Sequence, residues 1–120
     1  MTALPYVTWL ILCSAPPYIK PLDKSVNLVQ GDKLELTCTA WGNPTPNITW
    51  IKNWEGESEE LTTVEPRILL GSDGKLENAQ LNITGVTYDD YGFYTCNVTN
   101  IYGTVQSTIK VRVKGWLKFI

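Results

Sequence analysis

Asp90-Tyr91-Gly92-Phe93-Tyr94-Thr95-Cys96 is the stretch on which the reading of this chain turns. In an extended strand successive side chains point to opposite faces, so Tyr94, Cys96 and Val98 share one face and Phe93, Thr95 and Asn97 the other. The strand runs from Gly92 to Thr99 and turns through Asn100-Ile101-Tyr102-Gly103. It returns as a second strand to Val113, with Ile109, Val111 and Val113 facing in.

Working back from that hairpin, the same period of two recurs. Leu34, Leu36, Cys38 and Ala40 alternate with Lys33, Glu35, Thr37 and Thr39, which predicts a strand with one buried face after the turn Gln30-Gly31-Asp32. The next buried residues expected are Ile48 and Trp50. Between them Trp41-Gly42-Asn43-Pro44-Thr45-Pro46 reads as a loop, because glycine and two prolines oppose a continuing ladder. Residues 53–65 are polar and acidic, with Glu55, Glu57, Glu59 and Glu60 close together, as suits a solvated sheet edge. They lack the alternating oxygen ligands of a calcium loop. Arg67 to Leu70 and Glu77 to Ile83 form two more runs around Ser72-Asp73-Gly74, with Ala79, Leu81 and Ile83 on one face. From Tyr18 onward nothing sustains a helical period beyond a turn, so the chain is all-β.

A length of 120 residues suits one domain. The formal net charge is -2 with both signs interspersed, which offers no basic surface for nucleic acid. Histidine is absent, removing the commonest general base and zinc ligand, and no nucleophile–base pair or metal cluster stands in for it. No enzyme, metal or cofactor is expected. Cys13, Cys38 and Cys96 form no Cys-x-x-Cys motif, leaving a long-range disulfide as their use and one cysteine over. Cys13 ends the apolar stretch Ala3 to Leu12, which has the length of a secretory h-region and is too short to span a bilayer. Residues 1–15 thus read as a signal peptide or an unstructured leader outside the folded domain, residues 16–114 as that domain, and residues 115–120 as a linker or juxtamembrane stub. Any membrane contact is expected through a segment not present in these residues.

The order Cys38, Trp50, then Asp90-Tyr91-Gly92-Phe93-Tyr94-Thr95-Cys96 resembles the pin of the immunoglobulin superfamily. The run from Cys38 through Trp41-Gly42-Asn43-Pro44-Thr45-Pro46 to Trp50, and Asn100-Ile101-Tyr102-Gly103 after Cys96, resemble its I-set form. The likeness covers roughly residues 17 to 113. The acidic run and the ending Val111-Arg112-Val113-Lys114 are also similar to the membrane-proximal domain of the basigin and neuroplastin family, whose transmembrane helix is not among these residues. The resemblance implies an immunoglobulin-like two-sheet antiparallel β-sandwich of I-set/C2-like Greek-key topology. It further implies a Cys38–Cys96 disulfide covered by Trp50, a Tyr94 hydroxyl bonded to backbone before its strand, and an ion pair between Arg67 and Asp90. These are structural roles.

Function must then sit on the surface. Asn47, Asn82 and Asn97 each open an Asn-x-Ser/Thr triplet with Ile or Val in the middle, and alternation points Asn82 and Asn97 outward. Together with the apolar leader they favour a secreted or cell-surface glycoprotein, a recognition module for cell adhesion or a receptor ectodomain. An intracellular structural I-set domain of a muscle filament-type protein is the alternative. Ile51 and Phe93 point outward, with Trp41 and Trp54 in flanking loop or edge positions, and form the candidate interface. The expected partner is a protein, another copy of the chain included, held at the end away from Asn47 and Asn97.

Overall fold

The computed structural model describes residues 14–61, 68–72 and 78–115. Among these residues nine strands form, in chain order: β1 (Ala15–Ile19), β2 (Ser25–Val29), β3 (Leu34–Asn43), β4 (Asn47–Trp54), β5 (Glu57–Glu60), β6 (Ile68–Ser72), β7 (Asn78–Ile83), β8 (Gly92–Asn100) and β9 (Gly103–Lys114). They assemble into two sheets ordered β1-β3-β7-β6 and β2-β9-β8-β4-β5, an open sandwich and not a closed barrel. A 3-10 turn, Tyr88–Asp90, links β7 to β8.

The core lies where the inward faces of the two sheets meet. Leu34, Leu36, Cys38 and Ala40 of β3 alternate with outward polar residues, and Leu81 and Ile83 of β7 pack beside them. Trp50, Tyr94, Cys96, Val98, Ile109, Val111 and Val113 close the core from the other sheet. Cys38 and Cys96 are bonded across the sandwich with a Cα–Cα distance of 6.3 Å. The bond closes a loop over a sequence separation of 58, worth about 4 kcal/mol in the chain-entropy treatment. The Tyr94 hydroxyl donates to the Asp90 carbonyl at 2.6 Å, which ties the start of β8 to the 3-10 turn. Buried Asp90 accepts through Oδ2 from the Thr87 amide at 2.7 Å and so caps that turn. Arg67, the expected partner of Asp90, lies outside the described residues, as do residues 1–13 and 116–120.

Three features depart from expectation. Trp41-Gly42-Asn43 is not loop: β3 continues through it, because β1 pairs alongside with Ala15 opposite Asn43 and Tyr18 opposite Trp41. β1 begins at Ala15, one residue before the expected domain start. It carries two prolines, which an edge strand tolerates because their missing amides need no ladder partner. Among the described strands one pair is parallel: after β1, at the edge of the first sheet, the chain crosses over and β2 pairs with β9 in the second, Ser25 opposite Lys110 through Val29 opposite Lys114.

Candidate functional site

The outer face of the β2-β9-β8-β4-β5 sheet is organised by register. Phe93 pairs with Lys110 on one side and Asn53 on the other, and Asn53 pairs in turn with Ser58. Two residues along each strand, Thr108, Thr95, Ile51 and Glu60 stand abreast. Paired residues in a sheet share a face, so Phe93, Ile51, Lys110 and Glu60 look out together. Phe93 is 46% exposed, and the Lys110 ammonium lies 5.6 Å from its ring centroid. Ile51 is half-buried, screened by its neighbours on either side.

Below Phe93 the sheet ends in a groove of about 430 Å³ lined by Trp54, Glu55, Tyr88, Tyr91, Phe93 and Arg112, with Gly92 and Val111 among its other walls. Its shape depends on two glycines. Gly92, at φ +146°, brings its backbone so close to β4 that a Cβ would lie 2.8 Å from the Asn53 carbonyl. Gly56, at φ +82°, follows Glu55 at φ +47° in the two-residue β4–β5 turn, where both positions need positive φ. The Glu55 carboxylate accepts a hydrogen bond from the Tyr91 hydroxyl, and this bond to an anion holds the Tyr91 pKa above its ordinary value. Gly115 donates from its amide to the Tyr88 hydroxyl at 2.8 Å, fixing the far wall. Lys52 places its ammonium 4.8 Å from the Trp54 ring and donates to the Asp89 carbonyl, so Trp54 is steadied from behind.

The opposite end of the same face is polar. Asn97 Oδ1 accepts from Gln106 Nε2 at 2.7 Å, which occupies the amide oxygen and not the nitrogen that a glycan joins. Asn47 is exposed at the head of β4, opposite Thr99, and Asn97 stands opposite Thr49. From Asn97 back to Phe93 is four residues of strand, about 13 Å at roughly 3.3 Å each. Asn82 sits half-buried on β7 in the other sheet. Asn100 donates to the carbonyls of Ala15 at 3.0 Å and Pro44 at 2.9 Å, and accepts from the Tyr102 amide, holding β1, the β3–β4 turn and the β8–β9 hairpin together. Ile101 at 78% and Tyr102 at 52% exposure form a second apolar tip there.

The structure therefore joins Phe93, Trp54 and Ile51 on one sheet but separates Trp41 from them. Trp41 belongs to β3 of the other sheet, where its ring stands 5.3 Å from that of Tyr18. Its expected place was a loop or edge position flanking Phe93, and neither composition nor spacing could assign it to a sheet. Tyr88, Tyr91 and Arg112 enter the groove without having been singled out by the sequence. Tyr91 precedes Gly92 and Tyr88 belongs to the 3-10 turn, so neither falls in a strand whose parity would have placed it.

Two sheets, a cross-sheet disulfide under a buried tryptophan, and a tyrosine hydroxyl tied to backbone define an immunoglobulin-type sandwich. The immunoglobulin I-set domain family model matches residues 16–113, and the chain belongs to that family. It is 33% identical over 105 residues to protein turtle homolog B of Homo sapiens, a match spanning 85% of this chain and 7% of that protein. It is 40% identical over 92 residues to the striated-muscle M-protein of Gallus gallus, spanning 75% of this chain and 6% of that one. Among solved structures, titin domain M7 superposes with a TM-score of 0.70 at 27% identity, covering 84% of this chain and 96% of that one. The chain thus corresponds to less than a tenth of the length of these two curated relatives.

Proposed function

We propose that this chain is an extracellular recognition module, without catalytic chemistry, that binds a protein partner through the Phe93–Trp54 end of the β9-β8-β4 face. The observation that carries the reading is the contrast along β8. At one end, Phe93 and the groove beside it offer exposed ring surface bordered by Lys110, Arg112 and Glu55. At the other, two triplets for glycosylation crowd Asn47 and Asn97, where bulky sugar would keep a partner away. Aromatic anchors in such a setting supply a large share of binding energy.

The location rests on the disulfide, the three triplets and the apolar residues 3–12, all features of secreted chains. Likeness to protein turtle homolog B and, at 38% identity over 85 residues, to vascular endothelial growth factor receptor 2 of Mus musculus agrees with it. The 40% identity to M-protein favours a second reading, a structural module of a muscle filament, which would use the same sandwich without glycan or disulfide. Expression of the full chain in a secreting cell tests the first. Recovery from the medium with a mass that falls on glycosidase treatment supports it, and a reduced, sugar-free product supports the filament reading. For the face, Phe93→Ala and Trp54→Ala are each expected to weaken binding to cell-surface protein by about 2 kcal/mol. Gln80→Ala, exposed on β7 of the other sheet, should change nothing. Binding that survives both aromatic changes and follows Ile101 or Gln80 instead would overturn the assignment.

A further inference from the structure

The groove and its surroundings are charged in a pattern that suits one particular partner. Along β9 the outward residues Lys110 and Arg112 make a basic stripe on one side of Phe93. On the other side, past the neutral residues Ile51 and Asn53, lie Glu60 of β5 and Glu55 of the turn before it. The exposed ring thus sits between a basic strand and an acidic one, in a sheet whose order is β2-β9-β8-β4-β5.

We infer that the partner on this face is a second copy of the same chain, packed face to face about a two-fold axis parallel to the strands between β8 and β4. Such an axis reverses the strand order. β9 of one copy then lies over β5 of the other, and β8 lies over β4. Arg112 of each copy lies over the Glu55 turn of its mate, and Lys110 lies over Ser58, two residues of strand or about 7 Å from Glu60 and within reach of a lysine side chain, twice over, because a two-fold interface is self-complementary. Phe93 of each copy lies over the uncharged Asn53 of the partner copy and beside its Ile51, at the centre, where desolvated rings contribute most. Like charges would face one another if a copy were turned to lay β9 over β9, so the charge pattern also selects the orientation. An asparagine-linked glycan at Asn47 or Asn97 lies toward the other end of the strands and leaves this packing open. The inference rests on the face proposed above and adds the identity of its occupant.

Sedimentation equilibrium of the full chain at low ionic strength tests it. The wild type is expected to form dimers that weaken as salt is raised, since the charge pairs are partly solvated. Lys110→Glu with Arg112→Glu, and separately Glu55→Lys with Glu60→Lys, should each weaken self-association at least about tenfold. Mixing the two reversed variants in equal amounts should restore a dimer, because each then carries the charge the other lacks. Circular dichroism of each variant checks that the sandwich is intact, and restored pairing is itself a readout that an unfolded variant cannot give. A wild type that stays monomeric, or reversed variants that dimerise alone, would overturn the inference, as would a mixture that fails to pair. A monomeric wild type whose binding to a different protein still depends on Phe93 would overturn the second copy while leaving the proposed face standing.

Discussion

Trp41 and Phe93 are almost equally exposed, at 45% and 46%, yet they keep different company. The Trp41 ring leans on Tyr18 across the β1–β3 pair, so each ring covers part of the other and together they tie an edge strand to its neighbour. Among the described residues no ring packs against Phe93. It carries the Lys110 ammonium above its ring and borders the groove walled by Trp54 and Tyr91. Exposure alone therefore does not mark a contact surface. What distinguishes the two regions is whether the apolar area has found a partner within its own chain.

The comparison breaks most completely if the sandwich beneath both regions is loosened. Replacing Cys38 and Cys96 together by alanine removes the link between the sheets and is expected to lower unfolding stability by about 4 kcal/mol. Chemical denaturation of oxidised wild type and variant measures it. A loss of only a few tenths would mean that packing around Trp50 carries the sandwich without the cross-link.

Gly92→Ala should separate the two regions. At φ +146°, with the Asn53 carbonyl 2.8 Å from where the new Cβ would stand, alanine must push β4 from β8 at the groove end. Such strain costs about 1–3 kcal/mol. Hydrogen exchange should quicken in residues 53–57 and 91–93 and stay unchanged in β1, where Tyr18 and Trp41 pair. Equal quickening in β1 would show that the two regions open as one unit.

The smallest effect sharpens the contrast. Trp41→Ala removes a cross-strand ring contact and should cost about 1 kcal/mol of stability, read by thermal melting, with partner binding unaltered. Phe93→Ala should do the reverse, leaving the melt nearly in place while binding falls. If the two variants behave alike in both assays, neighbourhood does not separate the two rings.

How much of this was legible beforehand differs from element to element. The alternation of β3, β8 and β9 was plain, because one face of each strand is buried and a shift of one residue would expose the whole apolar set. The continuation of β3 through Trp41-Gly42-Asn43 was not, since glycine and proline argue locally against a ladder and only β1 alongside supplies one. The acidic run was read as a sheet edge, and β5 is such an edge, with all four of its residues exposed. Nothing local distinguished β2 from β1. Their switch between sheets depends on which strand, β3 or β9, offers a free edge.

By itself the sequence determined which residues face inward, that Cys38, Trp50, Tyr94 and Cys96 belong to one core, and which immunoglobulin set the chain resembles. The inward faces follow from spacing along a strand, where a period of two is set by backbone geometry alone, and the shared core and the set follow from the resemblance of the motif residues to the immunoglobulin pin. The tertiary structure alone decided the company each outward residue keeps. It sent Trp41 to Tyr18 on one sheet, gathered Phe93, Trp54, Tyr88 and Tyr91 at one end of the other, and set Lys110 and Glu60 on opposite sides of Phe93. Those neighbours are distant along the chain, and strand order and register, which arise only when the sheets assemble, bring them within reach.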